Sequence, residues 1–150
     1  MDRTATFMEM ALAEAEAAAG RGEPPVGAVV VLDGNIVAAA GNRAREDADP
    51  TAHAEILALR QACGILGSHR LDGADLHVTL EPCPMCAGAI AEARIRRLYY
   101  GAEDPKGGAV DNGVRLFDQP TCHHRPEVYG GILETRCSEL LKTFFAARRT

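Results

Sequence analysis

Two short motifs, His53-Ala-Glu55 and Pro82-Cys83-Pro-Met-Cys86, constrain this chain more than any other feature. Each stands where a helix would begin. Thr51-Ala-His-Ala-Glu-Ile-Leu-Ala-Leu-Arg60 opens a segment with apolar residues at Ala52, Ile56, Leu59, Cys63 and Leu66, the spacing of one helical face. The second motif follows an alternating run, Leu76-His-Val-Thr-Leu80, which reads as a strand. Its prolines suit the first turn of a new helix and disfavour a helix interior. A helix and a strand of ordinary length join the two motifs.

The side chains point to a metal. One imidazole, His53, and two thiolates, Cys83 and Cys86, have the softness that zinc prefers. Structural zinc sites close with four protein ligands, whereas catalytic sites keep three and leave the fourth position to water. Glu55 could ligate, but zinc held by two thiolates rarely needs a carboxylate. Beside the open position it is better placed to move protons. Taken singly, each residue has a plainer reading. A lone Cys-x-x-Cys that opens a helix is as readily a redox pair, and a lone Glu is a solvated helix residue. The combination is far more specific, and it matches the known H-x-E…P-C-x-x-C signature of zinc deaminases.

The rest of the chain is read around that centre. Its 150 residues fit one domain, 1–150, and no apolar run approaches the length of a membrane span. The N-terminus lacks the basic-then-apolar pattern of a signal peptide, so a cytoplasmic location is expected. Cys63, Cys122 and Cys137 then read as reduced thiols, with Cys63 and Cys137 in the core and Cys122 in a loop. A net charge of −5 argues against indiscriminate phosphate binding. Cationic residues nevertheless group locally at Arg94, Arg96 and Arg97, at Lys106, and at Arg148 and Arg149.

In chain order, Thr4 is a candidate cap for a first helix that runs to about Gly20, with Met8, Ala11, Leu12, Ala15 and Ala19 as its apolar stripe. Val26–Leu32 and Ile36–Ala40 read as strands joined by an Asp33-Gly34 hairpin turn. The first is apolar nearly throughout, as a strand covered on both faces would be. Gly27 marks either close packing or the approach of a ligand. Asn42 lies in the polar loop that leads to His53, which makes it a candidate substrate contact as well as a turn residue. After strand 76–80 come a helix from Pro84 to Ala93, a strand from Arg97 to Tyr100, a short strand at Val128-Tyr129 and a last helix from Leu133 to Arg148. On that helix Phe145 falls beside the apolar stripe, where core packing is its plainer role. This order implies crossover connections and a mixed sheet with helices against it. The loop Gly101–Gly108 follows a strand's carboxyl end, where α/β proteins tend to bind ligands.

With these segments in place the chain closely resembles the bacterial tRNA-specific adenosine deaminases of the cytidine-deaminase-like superfamily. The likeness covers nearly the whole chain. It rests on Pro25-Val-Gly-Ala-Val29, Asn42-Arg43, Thr51-Ala-His-Ala-Glu-Ile56, Val78-Thr-Leu-Glu-Pro-Cys-Pro-Met-Cys-Ala87, Gly101-Ala-Glu-Asp-Pro-Lys106 and Glu139-Leu-Leu-Lys-Thr-Phe-Phe145. The resemblance implies a three-layer α/β/α fold with a central five-stranded mixed sheet. It implies hydrolysis of adenosine to inosine at the wobble position of tRNA, notably an arginine tRNA. One zinc ion per subunit would sit on His53, Cys83 and Cys86, with Glu55 as proton shuttle and no organic cofactor. Asn42 would hydrogen-bond the purine. Asp104, Lys106, His124, Phe145 and Arg149 would contact the splayed nucleotides of an anticodon stem-loop bound by a homodimer. Glu103 stands where relatives often carry Arg. Two rivals stay open: a deaminase of a free base or nucleoside, and a non-catalytic zinc-binding module.

Overall fold

The structure, a computed structural model, describes residues 2–148. Helix α1 spans Thr4–Gly20, α2 Ala54–Leu66, α3 Pro84–Glu92 and α4 Glu134–Ala147. Strand β1 spans Gly27–Leu32, β2 Asn35–Gly41, β3 Asp75–Leu80, β4 Arg97–Ala102 and β5 Glu127–Tyr129. The strands form one sheet in the order β2-β1-β3-β4-β5. β1 is antiparallel to both neighbours, while β3, β4 and β5 run parallel. This is the mixed five-stranded sheet that the sequence leads one to expect.

Side-chain alternation builds the layers. Successive residues of a strand face opposite sides. Ala28 and Val30 of β1 enter a core shared with Ala54, Ala58 and Ile90 of α2 and α3. Val29 and Val31 enter the opposite core, with Phe7, Met8 and Leu12 of α1 and Cys137 of α4. β1 is therefore buried on both faces, which is why its sequence is apolar throughout. Asp33 and Gly34 both take positive φ, 51° and 77°, as the central residues of a tight hairpin turn require. Gly27 serves packing: a Cβ there would lie 1.9 Å from the Ala11 carbonyl oxygen. The backbone of α1 rests directly on the start of β1.

Several boundaries differ from the sequence reading, each for a local reason. Thr4 is the first helical residue and not the cap. Its N–H and hydroxyl both donate to Asp2, the N–H at 2.9 Å. The second helix begins at Ala54, three residues after Thr51, because Asp49 Oδ1 accepts the Thr51 N–H at 2.9 Å and its hydroxyl at 2.8 Å. Cys63 is half-buried rather than core, and Leu66 is 41% exposed. The buried apolar face of α2 comprises Ala54, Ile56, Ala58, Leu59 and Ala62, so Ile56 and Leu59 face the core as expected and the stripe fails only toward the end of the helix. A single 3-10 turn at Leu116–Asp118 has no counterpart in that reading.

A buried titratable group lies in the α1 layer. His77 on β3 is 2% exposed, and its Nδ1 has no hydrogen-bond partner. Its ring stacks on Tyr99 at 4.5 Å and tilts against Phe7 at 5.2 Å. Burial pushes the imidazole down to about 4, against the pull of Asp75 and Asp2 in the other direction. A histidine depressed in the folded state binds its proton first in the unfolded chain, so stability is present above pH 6.5 and is lost as pH falls toward 4. His77→Phe keeps the ring and removes the proton. Urea unfolding at pH 7 and pH 4 should show a loss smaller by about 3 kcal/mol in the variant. Equal losses in the two proteins would show that His77 is not the buried titrating group.

Candidate active site

Two helix starts and two strand ends meet at one edge of the sheet. His53 is the last extended residue before α2, with φ −76° and ψ 154°, and Cys83 holds the same place before α3, with φ −74° and ψ 173°. No side chain caps either helix. Their free N–H groups and positive dipole ends favour anionic sulfur nearby. The two sulfurs and His53 Nδ1 lie within 4.8 Å of one another.

The separations suit a metal. His53 Nδ1 is 3.6 Å from Cys83 Sγ and 3.5 Å from Cys86 Sγ. Bonds of about 2.0 Å to nitrogen and about 2.3 Å to sulfur at a tetrahedral angle place the two atoms about 3.5 Å apart. The donor set and its spacing therefore fit zinc with one position left open. The Cys86 thiol hydrogen-bonds Cys83 and, with His53, holds the Cys83 thiol down to about 4. The same contact pushes Cys86 up, and burial adds to it.

His53 and Cys83 share with Asn42, Glu55 and Asp104 the wall of a cavity of about 250 Å³. Glu55 is 4% exposed. Burial is the main cause that raises its carboxyl to about 7, with the Cys83 charge adding to it and its own backbone N–H opposing. A carboxyl so placed can both accept and give a proton near neutrality.

Two further buried carboxylates hold the cavity's walls, and the sequence reading assigned neither. Glu23, in the turn before β1, is 1% exposed. It accepts Asn42 Nδ2 at 3.2 Å, the Arg45 N–H at 3.2 Å and the Glu46 N–H at 2.6 Å. Glu81, just past β3, is 2% exposed. It accepts the N–H groups of Asp104, Val110, Asp111 and Asn112 at 2.9–3.1 Å and Asn112 Nδ2 at 2.7 Å. Burial works to raise this carboxyl, yet these donors hold it below its ordinary range. The only sequence signal for either residue is an acidic side chain beside the end of a strand.

The other candidates are placed less uniformly. Lys106 is exposed on the Glu81-pinned loop, beside Asp104. Phe145 is 44% exposed and meets Phe144 edge-on at 5.2 Å, so it is not the core residue that its helical position suggests. His124 lies apart from the cavity wall. Its Nε2 is 2.7 Å from the Ile95 carbonyl oxygen, before β4 begins and at the opposite end of the sheet. Arg149 lies outside the described residues. Arg96 and Arg97 are engaged by Asp75 and Glu127 at 2.9 and 3.3 Å and form no free basic patch.

Glu81→Ala would strand four backbone donors, that of Val110 buried and those of Asp104, Asp111 and Asn112 part-buried, and an unsatisfied buried donor costs about 1–3 kcal/mol. We expect a loss of roughly 3 kcal/mol or more in global stability. Hydrogen exchange should accelerate at the amides of Asp104, Val110, Asp111 and Asn112 beyond the chain-wide change. Uniform acceleration would mean that Glu81 does not hold the loop.

Comparison with known proteins agrees with this geometry. The family model of the MafB19-like deaminases matches residues 1–149. The tRNA-specific adenosine deaminase of Agrobacterium fabrum is 63% identical over 143 residues, 95% of this chain and 94% of that one. A structure solved in work on A-to-I editing by tRNA:A34 deaminases at the wobble position of transfer RNA is 64% identical, with a TM-score of 0.90 over 91% of this chain and 99% of that one. A guanine deaminase of Bacillus subtilis shares the fold at 35% identity and a TM-score of 0.66, over 100% of this chain and 96% of that one. The chain therefore belongs to the MafB19-like deaminases and, within them, to the bacterial tRNA-specific adenosine deaminases of the cytidine-deaminase-like superfamily.

Proposed function

We propose that this chain, as one domain, hydrolyses adenosine to inosine at the wobble position of tRNA, with an arginine tRNA as the expected substrate. His53, Cys83 and Cys86 would hold one zinc ion per subunit, and Glu55 would move the protons. The observation that carries this reading is the buried Glu55 carboxyl on the same cavity wall as His53 and Cys83. A purely structural metal site needs no such group.

When bound, zinc would lower the pKa of a water molecule toward neutrality. The rest of the work falls to the chain's own side chains. Glu55, raised to about 7 by its burial, takes a proton at the cavity and returns it to the ring nitrogen beside C6. The water oxygen is then bonded to C6; Glu55 carries the remaining hydroxyl proton to the exocyclic amine, the C6–N bond breaks, and ammonia leaves as the C6 carbonyl forms. Asn42 orients the purine. The cavity of about 250 Å³ admits one base, so the target nucleotide must be turned out of its stack. Asp104, Lys106 and the exposed ring of Phe145 are candidate contacts to its neighbours, and Arg149, outside the described residues, is the fourth candidate. His124 keeps this role only if the RNA reaches the far end of the sheet or a second subunit brings it near. Ile65 at 66% exposure, Leu66 at 41% and Met85 at 37% leave apolar surface on α2 and α3, which supports a homodimer. None of the described helices is long and apolar enough to cross a membrane, and a cytoplasmic site of action completes the proposal.

Purified protein should carry about one zinc per chain. The double variant Cys83→Ser, Cys86→Ser should lose it, and normal zinc content in that variant would falsify the ligand assignment. Glu55→Gln should keep zinc and fold but lose at least roughly 10²–10⁴-fold in kcat. An active Glu55→Gln protein would remove the proton-transfer role.

Binding energy from flanking nucleotides is what would separate a stem-loop from free adenosine. We expect kcat/KM on an anticodon stem-loop of an arginine tRNA to exceed that on free adenosine by roughly a thousandfold or more. Phe145→Ala should cost the stem-loop reaction about 5- to 100-fold, the worth of one stacked base, with zinc content unchanged. Comparable efficiency on free adenosine or guanine would replace this reading with a small-molecule deaminase.

A further inference from the structure

We propose that Glu23 is a positioning residue: it sets which end of the Asn42 amide faces the cavity, and so which edge of a base the cavity accepts. This deepens the functional reading above and rests on Asn42 contacting the target base.

Glu23 lies behind the cavity and does not line it. Its carboxylate is 1% exposed and 3.2 Å from the Asn42 side-chain nitrogen. A carboxylate has acceptors only, whereas an amide has one end of each kind. The end of Asn42 turned toward Glu23 must therefore be Nδ2. The reverse orientation would set a carbonyl oxygen against a buried carboxylate, with no proton between them. Glu23 cannot swing away to relieve that clash, because it also holds the N–H groups of Arg45 and Glu46. Asn42 is itself 7% exposed. Its backbone is tied on both sides: the N–H donates to Val26 at 3.1 Å, and the carbonyl accepts Arg21 Nη2 at 3.1 Å.

The consequence is a fixed pattern at the cavity. Of Asn42's four hydrogen-bonding positions, Glu23 takes one N–H. The carbonyl oxygen and the second N–H remain for a ligand. That pair of one acceptor and one donor complements an edge that offers a donor beside an acceptor, as the amino group and N7 of adenine do. The corresponding edge of guanine, O6 and N7, offers acceptors only. Glu23 would thus contribute to base choice without touching the base.

A double-mutant cycle tests this on the zinc-loaded protein with an anticodon stem-loop as substrate. Asn42→Ala should lower kcat/KM by about tenfold to a hundredfold, the range of a lost hydrogen bond to a buried group. Glu23→Gln, which can face the amide in either sense, should cost about tenfold in the wild-type background. In the Asn42→Ala background it should cost less than about threefold, because its effect runs through Asn42. An equal loss in both backgrounds would overturn the proposal and make Glu23 a loop-holding residue only. No loss from Glu23→Gln in the wild-type background would overturn it too. No loss from Asn42→Ala would remove the reading of Asn42 as a base contact, and this proposal with it. If Glu23→Gln does not fold, the same cycle is run with Glu23→Asp, which keeps the charge and withdraws the acceptors by one methylene.

Discussion

The register of the sheet decides where chemistry can occur in this chain. β1 runs antiparallel to both β2 and β3, with Gly27 opposite Gly41 and Ala28 opposite Val78. The start of β1, the end of β2 and the end of β3 therefore share one edge. The parallel pairing of β3 with β4, Leu80 beside Ala102, brings the end of β4 there as well. Asn42, Glu81 and the Asp104 loop then stand together without being near in sequence. The starts of α2 and α3 come to the same edge with their free N–H groups, and the three ligand atoms are the point where they meet. A one-residue slip of β3 would exchange its two faces and carry Cys83 and Cys86 away from His53.

Three buried carboxylates surround this point, and their partners separate their roles. Glu81 accepts five hydrogen bonds, four of them from backbone amides. Its negative charge is thereby stabilised inside the protein, and its acidity rises. Glu55 has no comparable set of donors, so burial dominates and its carboxyl is held near neutrality. One residue type thus serves as a fixed anion in one place and, in the proposed reaction, as a proton carrier elsewhere on the same cavity wall. What differs is the number of N–H groups aimed at each. Glu23 also holds backbone amides, those of the loop after Asn42.

The motif residues and the layer order were legible in the sequence because each leaves a local pattern. Alternation and helical spacing mark the elements, and the His-x-Glu and Cys-x-x-Cys spacings mark the cluster. The supporting carboxylates leave no such pattern. Glu23 follows Gly22 in a polar turn, and Glu81 precedes Pro82, so each reads as a solvated or boundary residue. Their partners are mainly main-chain amides 22 to 31 positions away, and a main-chain amide has no residue identity to read. Cys63 and Phe145 were misplaced for a different reason. Helical periodicity gives the angle between residues on a helix, whereas the absolute rotation is set by what the helix packs on. In α2 the small residues Ala54, Ala58 and Ala62 share the buried face with Ile56 and Leu59, which leaves Cys63 half-buried at its margin.

In the proposed reaction, chemistry and recognition would thus fall to different kinds of structure. The three candidate ligands and Glu55 sit at the first turns of α2 and α3, where backbone position is set by packing against the sheet. Asn42, Asp104 and Lys106 sit on loops, which alone would be too mobile to hold a base within hydrogen-bonding tolerance. The two loops gain rigidity from buried anions, since releasing either one would break several part-buried backbone hydrogen bonds at once. The carboxylate-to-backbone bonds are indifferent to the identity of the loop side chains, so a substitution on either loop would leave its path unchanged. The presence of Glu103 in the Asp104 loop fits this division. Its side chain reaches Asn112 Nδ2 at 3.4 Å, yet the loop's path is set by Glu81 through backbone amides. The residue at 103 can then alter the charge offered to a substrate without altering where the loop runs.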